Sequence, residues 1–333
     1  MNLDEKVPRL SVILVTPDTA NRLLGTLESL RRQTVHDQIE IIIVGPQIDT
    51  LDPGAELMAA FSGFRLVPVG EVQTTGRATA AGVLAASAPV VAYGEEHAFP
   101  DSRWAEAHIR RHKGPWSAVG GLLTNANPDS AISWAHFFLA FGPWIAPREA
   151  GETTLLPWHH TSYKREVLLD LGYELGFLLE VEGLLHQTLR ERGDRFYLEP
   201  GASSRHVNVS LRRSLLHAAF WGARLYAGGR AKKENWGLLK RMFFILASSL
   251  LPLVLLRRSR RDIQRVDITT SKVLRMFPDL LLSMAATAVG EMAGYGFGAG
   301  EAGHKRVHIE LDRSRHLNDH DLETAVGGVG GSH

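Results

Sequence analysis

The stretch Val90–Pro100, VVAYGEEHAFP, constrains this chain more than any other. A run of strand-forming residues stops at Glu95, Glu96 and His97, just before a proline. A strand ending this way delivers two carboxylates and an imidazole from a rigid edge into a loop, and these are residue types that hold divalent metals. The same letters also describe a solvated acidic turn, and taken alone the stretch does not choose between them.

The residues around it predict a layered α/β domain. Leu10–Val15 (LSVILV) reads as a buried strand running into Thr16-Pro17-Asp18-Thr19, a loop with an N-cap. Leu23, Leu24, Leu27 and Leu30 then recur at helical spacing over residues 21–33, and Ile39–Val44 is a second strand closed by Gly45-Pro46. Two strands bridged by a helix form a right-handed βαβ unit whose ligands belong at the C-terminal ends of the strands. A short helix over 55–61, a strand over 64–69, the Ala-rich helix 75–87 opening on Gly76-Arg77 and the strand 90–93 continue the alternation. The expected fold is therefore a doubly wound, mostly parallel sheet.

Further on, the pattern predicts a helix over 102–111 and a strand over 117–123. An aromatic segment, 131–147, reads either as a helix packed on the core or as the wall of an acceptor pocket. A strand-to-helix transition is expected over 161–172, one helix over 178–192 carrying Glu180, Glu182 and His186, and a strand over 196–199. With 333 residues and no cysteine, the chain can bury a full core, and disulfide frameworks and thiolate metal sites are excluded. The opening MNLDEKVPRL does not read as a secretory signal, and a reducing cytosolic setting is compatible.

Taken together, this order of motifs resembles the family 2 glycosyltransferases of GT-A fold over roughly residues 8–230. The resemblance rests on LSVILVTPDTANRLLGTLESLRRQT, the Gly76-Arg77 helix, the strand ending in acids, Glu182 followed by LRERG, and LEPGASSRH. It implies that Glu95, Glu96 and His97 stand where the family carries its DxD-type motif for metal and nucleotide diphosphate. Mg²⁺ or Mn²⁺ would be the cofactor, since both accept carboxylate oxygen and Mn²⁺ also accepts imidazole nitrogen. It implies His206 as a further metal ligand, Arg77 and Asp18 as nucleotide contacts, and His160 and Ser162 as hydroxyl-recognising groups. Glu182 would be the catalytic base of an inverting reaction, with Glu180 pointing elsewhere. The acid usually found after the second strand for recognising the nucleobase is missing, because Val44 is followed by Gly45-Pro46-Gln47.

The implied activity is a metal-dependent, hexosyltransferase-like transfer from a nucleotide-sugar donor to a lipid-linked or polysaccharide hydroxyl. The altered metal motif also admits a catalytically degenerate GT-A domain that binds a nucleotide sugar or a partner enzyme. On this reading residues 1–210 form the catalytic domain, 211–298 a basic, apolar helical appendage and 299–333 a mobile tail.

Charge in that appendage is concentrated: between Leu211 and Arg265 thirteen Lys or Arg face two acids, so the segment carries +11 and the rest of the chain −10. Met242–Leu256 (MFFILASSLLPLVLL) is apolar, interrupted by Pro252 and flanked by Lys240-Arg241 and Arg257-Arg258. As a helix it would reach about 22 Å against roughly 30 Å of hydrocarbon, too short to span alone. The expectation is a peripheral seat on the cytoplasmic face of the cell membrane, the alternative being ordinary helices covering the catalytic domain. A second breaker is expected at Pro278. Nucleic acid is not an expected partner, since no aromatic-interleaved reading motif accompanies the cations.

Overall fold

The computed structural model describes residues 7–327. In chain order it begins β1 (Leu10–Val15), α1 (Leu24–Arg31), β2 (Ile39–Gly45), α2 (Ala55–Met58), β3 (Gly63–Pro68), α3 (Thr75–Ala85), β4 (Val90–Gly94), β5 (Ala98–Pro100), α4 (Trp104–Arg111), β6 (Ala118–Gly120) and β7 (Leu123–Asn125). There follow α5 (Ala131–Phe141), β8 (Gly151–Thr153), β9 (Thr161–Lys164), α6 (Arg165–Leu169), α7 (Leu175–Glu180), α8 (Glu182–Glu191), β10 (Phe196–Leu198) and β11 (Ser204–His206). The chain continues with α9 (Arg212–Lys233), α10 (Leu238–Ser248), α11 (Leu251–Arg265), α12 (Thr270–Phe297), α13 (Ala302–Leu311) and α14 (Asp319–Gly327).

Among the described residues these elements form two compact units, one of residues 7–124 and 148–205, the other of 125–147 and 206–327. The first unit is the α/β part. Its eight-stranded sheet has the order β3-β2-β1-β4-β9-β6-β10-β8. The pairs β1–β2, β2–β3, β1–β4 and β6–β10 are parallel, while β9 runs antiparallel to both β4 and β6, and β8 antiparallel to β10. The sheet is thus mixed, its long half parallel. All six residues of β1 and all seven of β2 are buried, as central strands covered on both faces require.

Those two strands carry one polar cluster. Glu40 on β2 accepts hydrogen bonds from Ser11 Oγ (2.5 Å), Ser87 N (2.8 Å), Ser87 Oγ (2.9 Å) and Arg65 Nε (3.0 Å). Burial pushes its carboxyl up, but the Ser11, Ser87 and Arg65 donors outweigh it and hold the group below its ordinary value. Glu40→Ala strands these donors, and we expect it to cost about 3 kcal/mol at neutral pH. A group depressed on folding contributes above its unfolded pKa, near 4.5, and loses that contribution as pH falls through its folded value. Urea titrations should therefore show the gap between wild type and variant closing in acid; a constant gap would rule out the ionic part.

Several boundaries differ from expectation. The strand read over 117–123 is two, β6 and β7, in different sheets: a Cβ on Gly121 would sit 1.8 Å from the Ala202 carbonyl oxygen, so the chain turns there against backbone. β7 pairs with β11, and β11 with β5, in a small second sheet, and the chain leaves the first unit along β7 and β11. The helix read over 178–192 breaks at Val181 (φ −126°, ψ 67°) into α7 and α8.

The second unit is helical, and it begins earlier than residue 211. The aromatic segment supplies its helix α5, capped by Ser130 Oγ and with Trp134, Phe137, Phe138 and Phe141 buried. Trp236 stacks between Phe244 of α10 (4.4 Å) and Tyr295 of α12 (5.3 Å). Pro278 does not end a segment; it lies inside α12. The expected tail carries α13 and α14, and residues 328–333 lie outside the described residues.

Candidate functional site

Adjacent parallel strands β1 and β4, in register at Leu14 and Gly94, release their loops on the same edge of the sheet. This is where an open α/β sheet places its ligands. The loop after β4 is pinned from below by Thr26 of α1, whose hydroxyl donates to the carbonyls of Glu95 (2.7 Å) and Ala98 (3.2 Å). Glu95 and His97 are consequently buried despite their polarity.

Around Glu95 the imidazoles converge. Its Oε2 is 3.5 Å from His97 Nε2 and 3.2 Å from His160 Nε2. His97 Nδ1 lies 2.6 Å from Glu96 Oε2; a carboxylate only accepts, so Nδ1 donates. Burial pushes the Glu95 carboxyl up, yet His97, His160 and His159 together hold it well below the usual range. Glu95 and His97 are part of a carboxylate–imidazole group whose ligand atoms lie within 4.8 Å of one another, close enough for one metal ion. The donor set fits: ligands each about 2.1 Å from a shared hard cation stand roughly 3 Å apart, and the second carboxylate, Glu96, fixes the imidazole tautomer as outer partners of metal-binding histidines do.

The second carboxylate of interest lies at the start of α8. The break at Val181 turns Glu182 inward, where it is 4 % exposed. Its Oε2 accepts from the backbone N–H of His159 (2.6 Å) and is 3.6 Å from His159 Nδ1. Its other oxygen is 3.5 Å from the hydroxyl of Tyr163, which also bonds His186 Nε2 at 2.7 Å. Burial raises the Glu182 carboxyl above its ordinary value; His159 opposes this and the charge of Glu95 adds to it. Two carboxylates that sense each other's charge are thus driven in opposite directions, Glu95 toward the anion and Glu182 toward the acid. Burial moves both groups upward, and the neighbouring imidazoles decide which of the two stays ionised. His159 is held at φ 59°, a left-handed conformation uncommon for a residue with a side chain.

The other expected residues are placed as follows. Glu180 closes the α3 N-terminus, its carboxylate accepting from Gly76 N (2.6 Å) and Thr75 Oγ1 (3.1 Å). A Cβ on Gly76 would meet Glu180 N at 2.3 Å, so glycine is needed for that approach. Arg77 next to it is exposed on α3. Asp18 follows β1, but its carboxylate accepts from Thr19 N and from Arg22 Nε, and the Arg22 bond holds it below its ordinary value against partial burial. Ser162 lies on the opposite face of β9 from Tyr163, fully buried, with its hydroxyl between His108 Nδ1 (2.7 Å) and His112 Nε2 (2.9 Å).

His206 is the first residue of the second unit and is 1 % exposed. Its Nδ1 and that of His136 both reach Asn208 Oδ1, at 3.1 and 3.0 Å. An amide oxygen only accepts, so both rings donate from Nδ1.

Tyr163 and the backbone role of His159 were not singled out from sequence. The WHHTSYK stretch held the signal, because alternation along β9 sends Tyr163 and Ser162 to opposite faces. Comparison with protein-family models returned no match, and comparison with curated proteins returned none either.

Proposed function

We propose that the chain is a metal-dependent, inverting glycosyltransferase akin to the family 2 enzymes, moving a sugar from a nucleotide-sugar donor to a hydroxyl of a lipid-linked or polysaccharide acceptor. One observation carries this reading: Glu95 and Glu182 lie within reach of the same histidine, His159, with opposite proton affinities. Single displacement at a sugar carbon calls for that division, an anion that neutralises the leaving side and a base that accepts a proton on the attacking side.

Glu95 and His97 would hold Mg²⁺ or Mn²⁺, with Glu96 orienting His97. When bound, the ion supplies Lewis-acid neutralisation of the departing diphosphate. Glu182 takes the proton of the acceptor hydroxyl as that oxygen bonds to the anomeric carbon and the donor's glycosidic bond to phosphate breaks. His159 N–H stays on the carboxylate and keeps it aimed. Arg77, exposed at the start of α3, is available to phosphate oxygens, and His160 stands beside Glu95 to meet sugar hydroxyls. Asp18 reaches a nucleotide by exchanging Arg22 for it.

The experiment is calorimetry with a panel of nucleotide sugars, with and without Mn²⁺, paired with assays of transfer and donor hydrolysis. Donor binding that requires the ion, together with turnover, is expected. Binding indifferent to metal with neither transfer nor hydrolysis would replace this reading with that of a non-catalytic binding module, which the ion-paired Asp18 favours.

A further inference from the structure

The second unit carries a large unpartnered apolar face. On α10, Leu239, Met242, Phe243 and Leu246 fall at helical spacing, and the row continues through Leu250, Leu253 and Val254 into α11. Leu239 is 83 % exposed, Leu246 72 % and Leu253 66 %. The same side of α11 then changes character: Arg257, Arg260 and Arg261 are exposed one turn further on. The single acid of residues 238–265, Asp262, is buried and paired with Arg265, so this segment itself sets no exposed carboxylate beside the row of cations.

From this we infer that α10 and α11 lie in the headgroup region of an anionic lipid bilayer, apolar row down and arginines at the phosphate level. The length argues against a span. The 11 residues of α10 reach about 16 Å of the roughly 30 Å of hydrocarbon, and α11 departs from α10 by 52°. Helix α12 is long and apolar enough to cross by length and composition, but 39 % of its most apolar window is buried in the protein and its Asp279 holds Arg212. It serves as the core helix on which the surface pair rests, with Trp236, Phe244 and Tyr295 stacked between them.

A second copy of the chain fits the face less well. A two-fold contact places each surface against itself and brings two rows of arginine into one interface. An anionic leaflet supplies both the apolar medium and the opposite charge. This inference goes beyond the transferase reading and does not depend on it, since lipid binding needs neither donor nor metal.

Flotation of the full chain with vesicles of phosphatidylcholine alone, or mixed with phosphatidylglycerol, tests it. Binding to the mixed vesicles that weakens with added salt is expected. Arg257→Glu/Arg260→Glu/Arg261→Glu should lower the affinity for mixed vesicles by at least roughly a hundredfold. Leu246→Glu/Leu250→Glu should abolish binding to the mixed vesicles, with an unchanged circular dichroism spectrum to exclude unfolding. Wild-type chain that stays unbound with both vesicles overturns the inference. So does a concentration-dependent dimer in light scattering that Leu246→Glu/Leu250→Glu dissociates, or binding that neither variant alters.

Discussion

Glu182→Gln is expected to lower glycosyl transfer by about a thousandfold while leaving nucleotide-sugar affinity within about twofold, the size of effect a positioned general base supplies. The substitution keeps the volume and leaves an oxygen to accept from His159 N–H, so the fold is retained and only the proton acceptor is lost. The pH profile gives a second readout. Burial and the Glu95 charge raise the Glu182 carboxyl, and a base works only when deprotonated. The acid limb of kcat/KM should therefore fall above pH 4.5, the ordinary value, with activity lost as pH drops through it. Turnover at the wild-type rate in the glutamine variant would remove Glu182 from the chemistry. An acid limb below the ordinary carboxylate range would contradict the electrostatics that assign it.

Glu95→Gln should act on the other side of the reaction. The carboxylate is kept ionised, against its burial, by His97, His160 and His159, and a hard divalent cation draws most of its affinity from such an anion. Calorimetric titration with Mn²⁺ should show affinity weakened by at least about a hundredfold, since even indirect partners of a metal site cost ten- to a hundredfold. Transfer should fall with it, and excess Mn²⁺ should recover part of the loss, which it cannot do for Glu182→Gln. Unchanged Mn²⁺ affinity would show that the histidines gather around Glu95 for structural reasons alone.

What was legible in the sequence follows from which signals are local. LSVILV, IEIIIV and VVAY are runs that only a doubly covered sheet can bury, and β1, β2 and β4 lie where those runs lie. The order of β9 between β4 and β6 is set by pairing at a distance, and no run of letters announces it. The division at Gly121 depends on the Ala202 carbonyl, some eighty residues away. Pro278 shows the opposite limit: a local breaker signal is overridden within α12, whose long packed face outweighs one missing hydrogen bond. At the site, Glu95, His97 and Glu182 stood out because carboxylates at strand and helix ends are chemically conspicuous. The assistance of Tyr163 and the conformation of His159 arise from cross-strand register and from the non-helical Val181, neither of which a motif records.

The bond from His159 N–H to Glu182 Oε2 ties the shape of a turn to the charge of a side chain. A left-handed residue stores about 1–3 kcal/mol, and here an anionic acceptor is what repays it. Linkage is reciprocal: whatever stiffens the Trp158–His160 turn lowers the proton affinity of Glu182, and each proton that Glu182 gains loosens the turn. A sugar seated against these histidines would thus ready its own base, and the proton taken up in the reaction would slacken the grip on the product.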